Sequence, residues 1–248
     1  MRRFDAVICD IDGCLGPEAT GPFDMGALSE VAEYNRLAWE VGDRPAITLC
    51  SGRPVTAVEM VSRMVGNVRL TAVAEMGAFL YLPETTEYEL DPRITPGQRA
   101  AVDAARRWTE DTLVPEGAVV QPGKHASVSI FHPDHDRLHE EFVPRVRELT
   151  AERRWPLQVS ATWAWINWDL EHVSKASGID RLIERTGLHK DRLAGIGDTA
   201  SDLAIRGHVA RFGCPQNAKP ELKQRADFVS TAEEARGVVE FLETLIGP

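Results

Sequence analysis

Short, uninterrupted apolar runs alternate along this chain with longer segments of helical periodicity, and that rhythm predicts its elements. Ala6-Val7-Ile8-Cys9 shows no polar alternation and reads as a strand buried on both faces, as in a parallel sheet. A Gly/Pro-rich stretch from Gly13 to Pro22 follows, then an amphipathic helix from about Met25 to Val41. Ala46 to Cys50 is a second buried strand. It ends at Ser51-Gly52-Arg53-Pro54, before a helix that runs to about Val65. A third strand, Leu70 to Ala74, ends at Glu75-Met76-Gly77-Ala78. Strands and helices alternating in this way indicate a doubly wound α/β sheet.

Between Pro83 and His172 the rhythm changes. This stretch predicts a short strand (Glu87 to Leu90), a helix opened by Thr95-Pro96, and a strand from Ala126 to Phe131. A helix from Asp136 to Glu152 and two strands, Leu157 to Ala161 and Ala164 to Leu170, complete it. The buried-strand pattern resumes at Leu193-Ala194-Gly195-Ile196-Gly197, followed by helices and a last strand near Phe228-Val229. The expected organisation is a Rossmann-like core of residues 1–82 and 173–248, interrupted by an α+β domain at 83–172.

The 248 residues carry 28 basic and 38 acidic side chains, a formal charge of −10. That balance argues against capture of nucleic acid or of an anionic membrane, which both need a basic face. It leaves a phosphorylated ligand open, because a bound divalent cation locally reverses the sign of a site. No apolar run is long enough to span a bilayer, and the first residues lack the apolar core of a signal peptide. Cys9, Cys14, Cys50 and Cys214 form no C-x-x-C pair, so a cytoplasmic protein with reduced thiols is expected.

The polar residues of interest cluster at strand ends, where open α/β sheets bind ligands. The spacing of Asp10-Ile11-Asp12-Gly13 can place two carboxylates toward one site, where they should coexist ionised only near a cation, one otherwise tending to hold a proton. One of them can attack phosphorus while the other handles protons; the plainer alternative is a strand-terminal pair capping a turn. Ser51-Gly52-Arg53 offers a hydroxyl and backbone N–H groups to phosphate oxygens, or else Ser51 simply caps the next helix. Lys175 opens a predicted helix (Ala176 to Arg185), an unfavourable place for a cation unless something anionic faces it. Gly197-Asp198-Thr199-Ala200-Ser201-Asp202 adds two more carboxylates at a strand end, the oxygen ligands that magnesium prefers.

Taken in order, these four segments resemble the motifs of the haloacid dehalogenase superfamily of phosphohydrolases. The likeness covers the whole chain, and residues 83–172 resemble that superfamily's sheet-containing cap, which selects substrates. The nearest branch holds sucrose-phosphate, mannosyl-phosphoglycerate and phosphoglycolate phosphatases. The resemblance implies a Mg2+-dependent hydrolase of a small phosphorylated metabolite. Asp10 would be the nucleophile that becomes an aspartyl-phosphate and Asp12 the acid/base. Ser51, Gly52 and Arg53 would hold the phosphoryl group, and Lys175 would neutralise charge. Asp10, Asp12 (through its carbonyl), Asp198 and Asp202 would serve the metal, and Asn217, in Gln216-Asn217-Ala218, would approach phosphate or metal. A phosphosugar mutase of the same superfamily and a non-catalytic binding protein are the alternatives. Cys14, Ser201 and Gln216 stand where the superfamily more often has Thr, Asn and Gly.

Two further patterns stand outside those motifs. Trp163, Trp165 and Asn167 fall on one face of a strand while Ile166 and Trp168 fall on the other, so one face should pack on helices and the other meet a ligand or solvent. His132, His135 and His139 have metal-like spacing, but Pro133 favours a turn instead. Lys124-His125 is a candidate substrate contact.

Overall fold

The computed structural model describes residues 3–18 and 21–246, in two units: Met1–Glu89 with Lys175–Pro248, and Leu90–Ser174. In the first unit β1 (Ala6–Cys9) is followed by α1 (Met25–Glu40), β2 (Ala46–Leu49), α2 (Val55–Met64), β3 (Ala72–Ala74), β4 (Phe79–Leu82) and β5 (Glu87–Leu90). Every residue of β1 and β2 is buried, as unbroken apolar runs demand. Helix α1 starts where the Asp24 carboxylate accepts the Ala27 N–H, and it buries Leu28, Val31, Tyr34 and Ala38 at helical spacing. Asn35 on that helix is also buried: its Oδ1 accepts the Ile47 N–H at 2.7 Å and its amide donates to Val65 O at 2.7 Å.

The second unit contains α3 (Pro96–Thr112), β6 (Val119–Val120), β7 (Ser127–Phe131), α4 (Val143–Arg153), β8 (Leu157–Ala161) and β9 (Trp165–Leu170). Thr95 and Gln98 form a capping box at the start of α3, with proline in its first turn. The four strands make an antiparallel sheet ordered β6-β7-β9-β8. One sheet face is fully buried through Val128, Ile130, Ile166 and Trp168. The Trp168 ring lies 6.1 Å from Trp108 and 5.5 Å from Trp155. The helix expected from Asp136 to Glu152 runs as helical backbone from His135 to Arg153, with a change of hydrogen-bond register inside it. A short turn capped by Asp134 passes through a π-type turn, Leu138–Phe142, into α4. Pro144 stands at that junction, and it cannot donate to a continuous i→i−4 ladder. His132 Nδ1 meets the Asp134 backbone and His135 packs on Trp163, so the histidines serve this turn.

The chain re-enters the first unit at α5 (Lys175–Thr186) and continues with β10 (Leu193–Ile196), β11 (Arg211–Cys214), β12 (Phe228–Val229) and α6 (Glu234–Glu243). The main sheet is parallel and ordered β12-β11-β10-β1-β2, with β1 paired to β10 on one side and β2 on the other. A parallel bridge between Cys50 and Val73 brings β3 beside β2. This is the expected α/β architecture, with a parallel core and additional antiparallel sheets. β5 pairs within the β3-β4-β5 sheet rather than within the second unit's sheet. β4, β6 and β11 went unpredicted. β11 reads Arg-Phe-Gly-Cys, and a side chain at Gly213 would begin 2.5 Å from the Phe241 ring, so packing there excludes the apolar residue that would have signalled a strand. No helix among the described residues is long and apolar enough to cross a membrane.

Candidate active site

Three strand ends are tied side by side by the backbone. Asp10, next after β1, donates its N–H to Ile196 O at 3.1 Å, and Cys50 N donates to Cys9 O at 2.8 Å. The carboxylates that follow β1 and β10 are thereby brought together: ligand oxygens of Asp10, Asp198 and Asp202 all lie within 4.8 Å of one another. Lys175 joins them. Its Nζ is 2.7 Å from Asp10 Oδ2 and 2.7 Å from Asp202 Oδ1, and all three side chains are buried. The awkward position of a lysine in the first turn of α5 is thus explained by two carboxylates facing it.

Asp202 is fully engaged. Its Oδ1 takes the ammonium, while Oδ2 accepts the N–H groups of Asp198 and Thr199, each at 3.0 Å, and the Thr199 hydroxyl at 3.3 Å. Asp202 therefore fixes both Lys175 and the loop that carries Asp198. Ser201, one of the departures from the superfamily pattern, pairs its hydroxyl with that of Thr199 at 3.0 Å. Gly13 permits a close approach that no other residue allows: its φ is +73°, and a Cβ there would begin 2.0 Å from Asp198 Oδ2.

The electrostatics follow from burial. Desolvation pushes Asp10 up to about 7 despite the opposing charge of Lys175, with Asp202 and Asp12 adding to the rise. Asp198 is pushed up to about 8 by burial, reinforced by Asp10 and Asp202. Burial alone would lower Lys175, but the charges of Asp10 and Asp202 hold it well above the ordinary lysine value. This is an excess of negative charge that one ammonium does not balance. Asp198 Oδ1 is buried and meets no hydrogen-bond donor among the described residues. An all-oxygen set with an orphaned, desolvated carboxylate oxygen fits a hard divalent cation such as Mg2+.

Asp12 points elsewhere. Arg53 grips it with a two-toothed ion pair, Nε to Oδ2 at 2.8 Å and Nη2 to Oδ1 at 2.5 Å. The Asp12 side chain is therefore not one of the acidic trio, and only its backbone oxygen is left as a candidate for the cation. Ser51 is buried, and its hydroxyl accepts the Arg53 N–H at 3.2 Å. A side chain at Gly52 would begin 3.2 Å from the Met76 sulfur. Asn217 uses its amide as a brace: Nδ2 donates to Gly13 O at 2.8 Å, and Oδ1 accepts the Glu234 N–H at 2.8 Å. In this arrangement Asn217 positions the Gly13 turn rather than reaching toward a phosphate. Cys14 is buried beside the site, and burial, with Cys9 as neighbour, pushes its thiol well up, so it stays uncharged.

Sequence reasoning missed one segment. Glu75, Met76 and Gly77 have φ values of 45°, 57° and 107°, and this left-handed turn supports the Ser51 loop from below. Glu75 N donates to Arg53 O at 3.0 Å and Met76 N to Ser51 O at 3.2 Å. Gly77 at a strand end was the available signal; nothing in Glu75-Met76 announces positive φ.

Comparison with known proteins finds similarities of sequence and of fold. The model of the haloacid dehalogenase-like hydrolase family matches residues 151–242. Phosphoglycolate phosphatase 1 of Saccharolobus solfataricus is 33% identical over 74 residues, 30% of this chain and 32% of that protein. The chain thus spans about a third of that relative's length. The phosphoglycolate phosphatase of Staphylothermus marinus is 21% identical over 212 residues, covering 81% of this chain and 82% of its own. Among solved structures, a Thermoplasma acidophilum protein superposes with a TM-score of 0.72 at 17% identity, covering 98% of both chains. The sucrose-phosphatase of Synechocystis, solved with sucrose and phosphate, gives 0.66 at 19% identity, covering 99% of this chain and 98% of that one. The resemblance to haloacid dehalogenase-like hydrolases is therefore matched in family sequence over residues 151–242, which hold Lys175 and the Asp198–Asp202 segment, and in fold over nearly the whole chain.

Proposed function

We propose that the chain is a magnesium-dependent phosphomonoesterase, cytoplasmic, acting on a small phosphorylated metabolite through an aspartyl-phosphate on Asp10. The observation that carries this reading is the buried ring of Asp10, Lys175 and Asp202 with Asp198 beside it, at the carboxyl ends of adjacent parallel strands. The phosphatase names of the relatives support the same activity.

A carboxylate oxygen of Asp10 attacks phosphorus in line with the ester oxygen, and the P–O bond to the leaving group breaks as the new P–O bond forms. Lys175 offsets the charge on Asp10 and on the transferring group. Asp12 delivers a proton to the departing oxygen, which requires it to leave the Arg53 guanidinium, since a protonated carboxyl cannot accept that fork. The Ser51 hydroxyl and the Arg53 side chain, once released, hold phosphoryl oxygens. Water then attacks the aspartyl-phosphate, Asp12 takes its proton, and Asp10 is regenerated as inorganic phosphate departs. Asp10 and Asp198, with the Asp12 carbonyl, would hold Mg2+, and the ion would supply neutralising charge to the phosphoryl oxygens. Residues 83–172, read as an inserted domain, select the substrate.

The test is phosphate release from a panel of small phosphomonoesters with Mg2+, using the wild type and Asp10→Asn. Mg2+-dependent release that the variant loses is expected. A folded Asp10→Asn protein that still turns over at more than about a tenth of the wild-type rate would overturn the nucleophile assignment. Transfer of phosphate between sugar positions without free phosphate would instead indicate a mutase.

A further inference from the structure

The left-handed turn Glu75–Gly77 is where the Ser51–Arg53 loop takes its shape. Ser51 N donates to Val73 O at 3.0 Å, Met76 N to Ser51 O at 3.2 Å and Glu75 N to Arg53 O at 3.0 Å. The Met76 sulfur lies against Gly52, so each residue of the loop is matched to this segment. The turn is not a conformation that its own residues favour. Glu75 and Met76 have φ values of 45° and 57°, and non-glycine residues stay there only where their surroundings over-determine them.

Helix α5, in the same unit, supplies those surroundings. It approaches so closely that a Cβ at Gly178 would begin 2.5 Å from Val73 Cγ1 and 2.6 Å from Gly77 Cα. Further along the helix, Arg181 crosses to the same segment. Its Nη1 donates to Gly77 O at 3.1 Å and to Ala78 O at 3.5 Å, while Nη2 donates to Glu89 O at 3.3 Å and to the Glu89 carboxylate at 3.4 Å. The Arg181 side chain is only 11% exposed. Carbonyl oxygens that leave a tight turn need donors, and a planar guanidinium offers several in fixed directions. The ion pair is a separate contact: Glu89 is half-exposed and also pairs with Arg185 at 2.5 Å. Lys175 at the start of α5 anchors the acidic ring, and Arg181 on the same helix anchors the turn beneath the Ser51 loop.

We propose that Arg181 is a positioning residue for the Ser51–Arg53 loop, holding it in its phosphoryl-binding shape through the carbonyls of the Glu75–Gly77 turn. The proposal rests on the reading of the chain as a phosphatase whose Ser51 loop holds phosphoryl oxygens. Wild type, Arg181→Met and Glu89→Gln are assayed on p-nitrophenyl phosphate with Mg2+, with inorganic phosphate as competing product. Arg181→Met should raise KM and the inhibition constant of phosphate together by about fivefold, the worth of one misplaced hydrogen bond, and leave the Mg2+ concentration for half-maximal rate unchanged. Glu89→Gln removes the ion pairs but keeps the bonds to Gly77 and Ala78, so it should leave both constants within about twofold of wild type. A phosphate constant unmoved in Arg181→Met overturns the proposal. An equal rise in Glu89→Gln also overturns it, because the effect would then be one of general stability. Should Arg181→Met fail to fold, Arg181→Lys, which keeps the charge without the fork, is held to the same criteria. If the wild type hydrolyses nothing, the phosphatase reading fails, and amide hydrogen exchange followed by NMR decides the positioning separately. Exchange at Glu75 and Met76 about tenfold faster in Arg181→Met than in Glu89→Gln supports it, and equal exchange overturns it.

Discussion

Replacing Asp202 by Asn tests the reasoning about the buried charge ring most sharply, because the two side chains have nearly the same shape. Each Asp202 oxygen faces donors only: Lys175 Nζ at 2.7 Å on one side, and the N–H groups of Asp198 and Thr199 at 3.0 Å on the other. An asparagine places its NH2 against one of these sets whichever way it turns, and leaves Lys175 with one carboxylate instead of two. Removing one partner of a buried ion pair costs about 3–5 kcal/mol. One hydrogen-bonded side survives, so a loss of about 3 kcal/mol is expected, or roughly 6–12 °C in melting temperature for a chain of this size. Scanning calorimetry and urea titration of the metal-free protein measure it. Because the amide brings a donor where alanine brings none, Asp202→Asn should be no milder than Asp202→Ala. Adding Lys175→Met to Asp202→Asn should cost less than the sum of the two single changes, since part of the conflict disappears. An Asp202→Asn protein within about 1 kcal/mol of wild type would refute the account of Asp202 as the acceptor of four donors.

Other outcomes follow from the same site. Asp10 and Asp198 have folded values near 7 and 8, above their ordinary value, so the stability they confer is complete at low pH and is lost as pH rises through that range. The metal-free protein should therefore melt at lower temperature at pH 9 than at pH 6, and added Mg2+ should erase the difference; a metal-free melting point that rises with pH would contradict this. Gly13→Ala forces a side chain into Asp198 at positive φ and should destabilise by roughly 2 kcal/mol or more, with loss of the Mg2+ response in activity and melting. Arg53→Lys retains charge without the fork that holds Asp12 and should lower kcat about tenfold; phosphate-release kinetics read it. Asn217→Ala frees the Gly13 carbonyl and the start of α6 and should cost about 1–3 kcal/mol, measured by urea titration.

The parallel core was legible because β1, β2 and β10 are unbroken apolar runs with polar residues at their carboxyl ends, and because Lys175 stood where a lone cation is disfavoured. What the sequence hid has physical causes. β11 carries glycine at 213 because Phe241 fills the space over it, and its apolar run is cut short there. The helix expected from Asp136 to Glu152 is there, but Pro144 cannot join its ladder, and the π-type turn Leu138–Phe142 that precedes it is a local change of register that periodicity does not report. The Arg53–Asp12 ion pair joins residues 41 positions apart, and no spacing rule reports a contact made by tertiary folding. Asn217 lay in a recognisable segment, yet its amide is spent on the backbone of Gly13 and Glu234, which only coordinates reveal.

The register of the central sheet also dictates when the protein can assemble. β1 leaves the ribosome before the other strands of its sheet, but one of its two edges is matched only by residues 193–196. Until those are made, a fully apolar strand waits with an open ladder, the condition under which nascent chains aggregate. Residues 90–174 emerge in the interval and already contain a complete four-stranded sheet. Truncation anywhere before Leu193 should therefore yield insoluble protein rather than a smaller folded core.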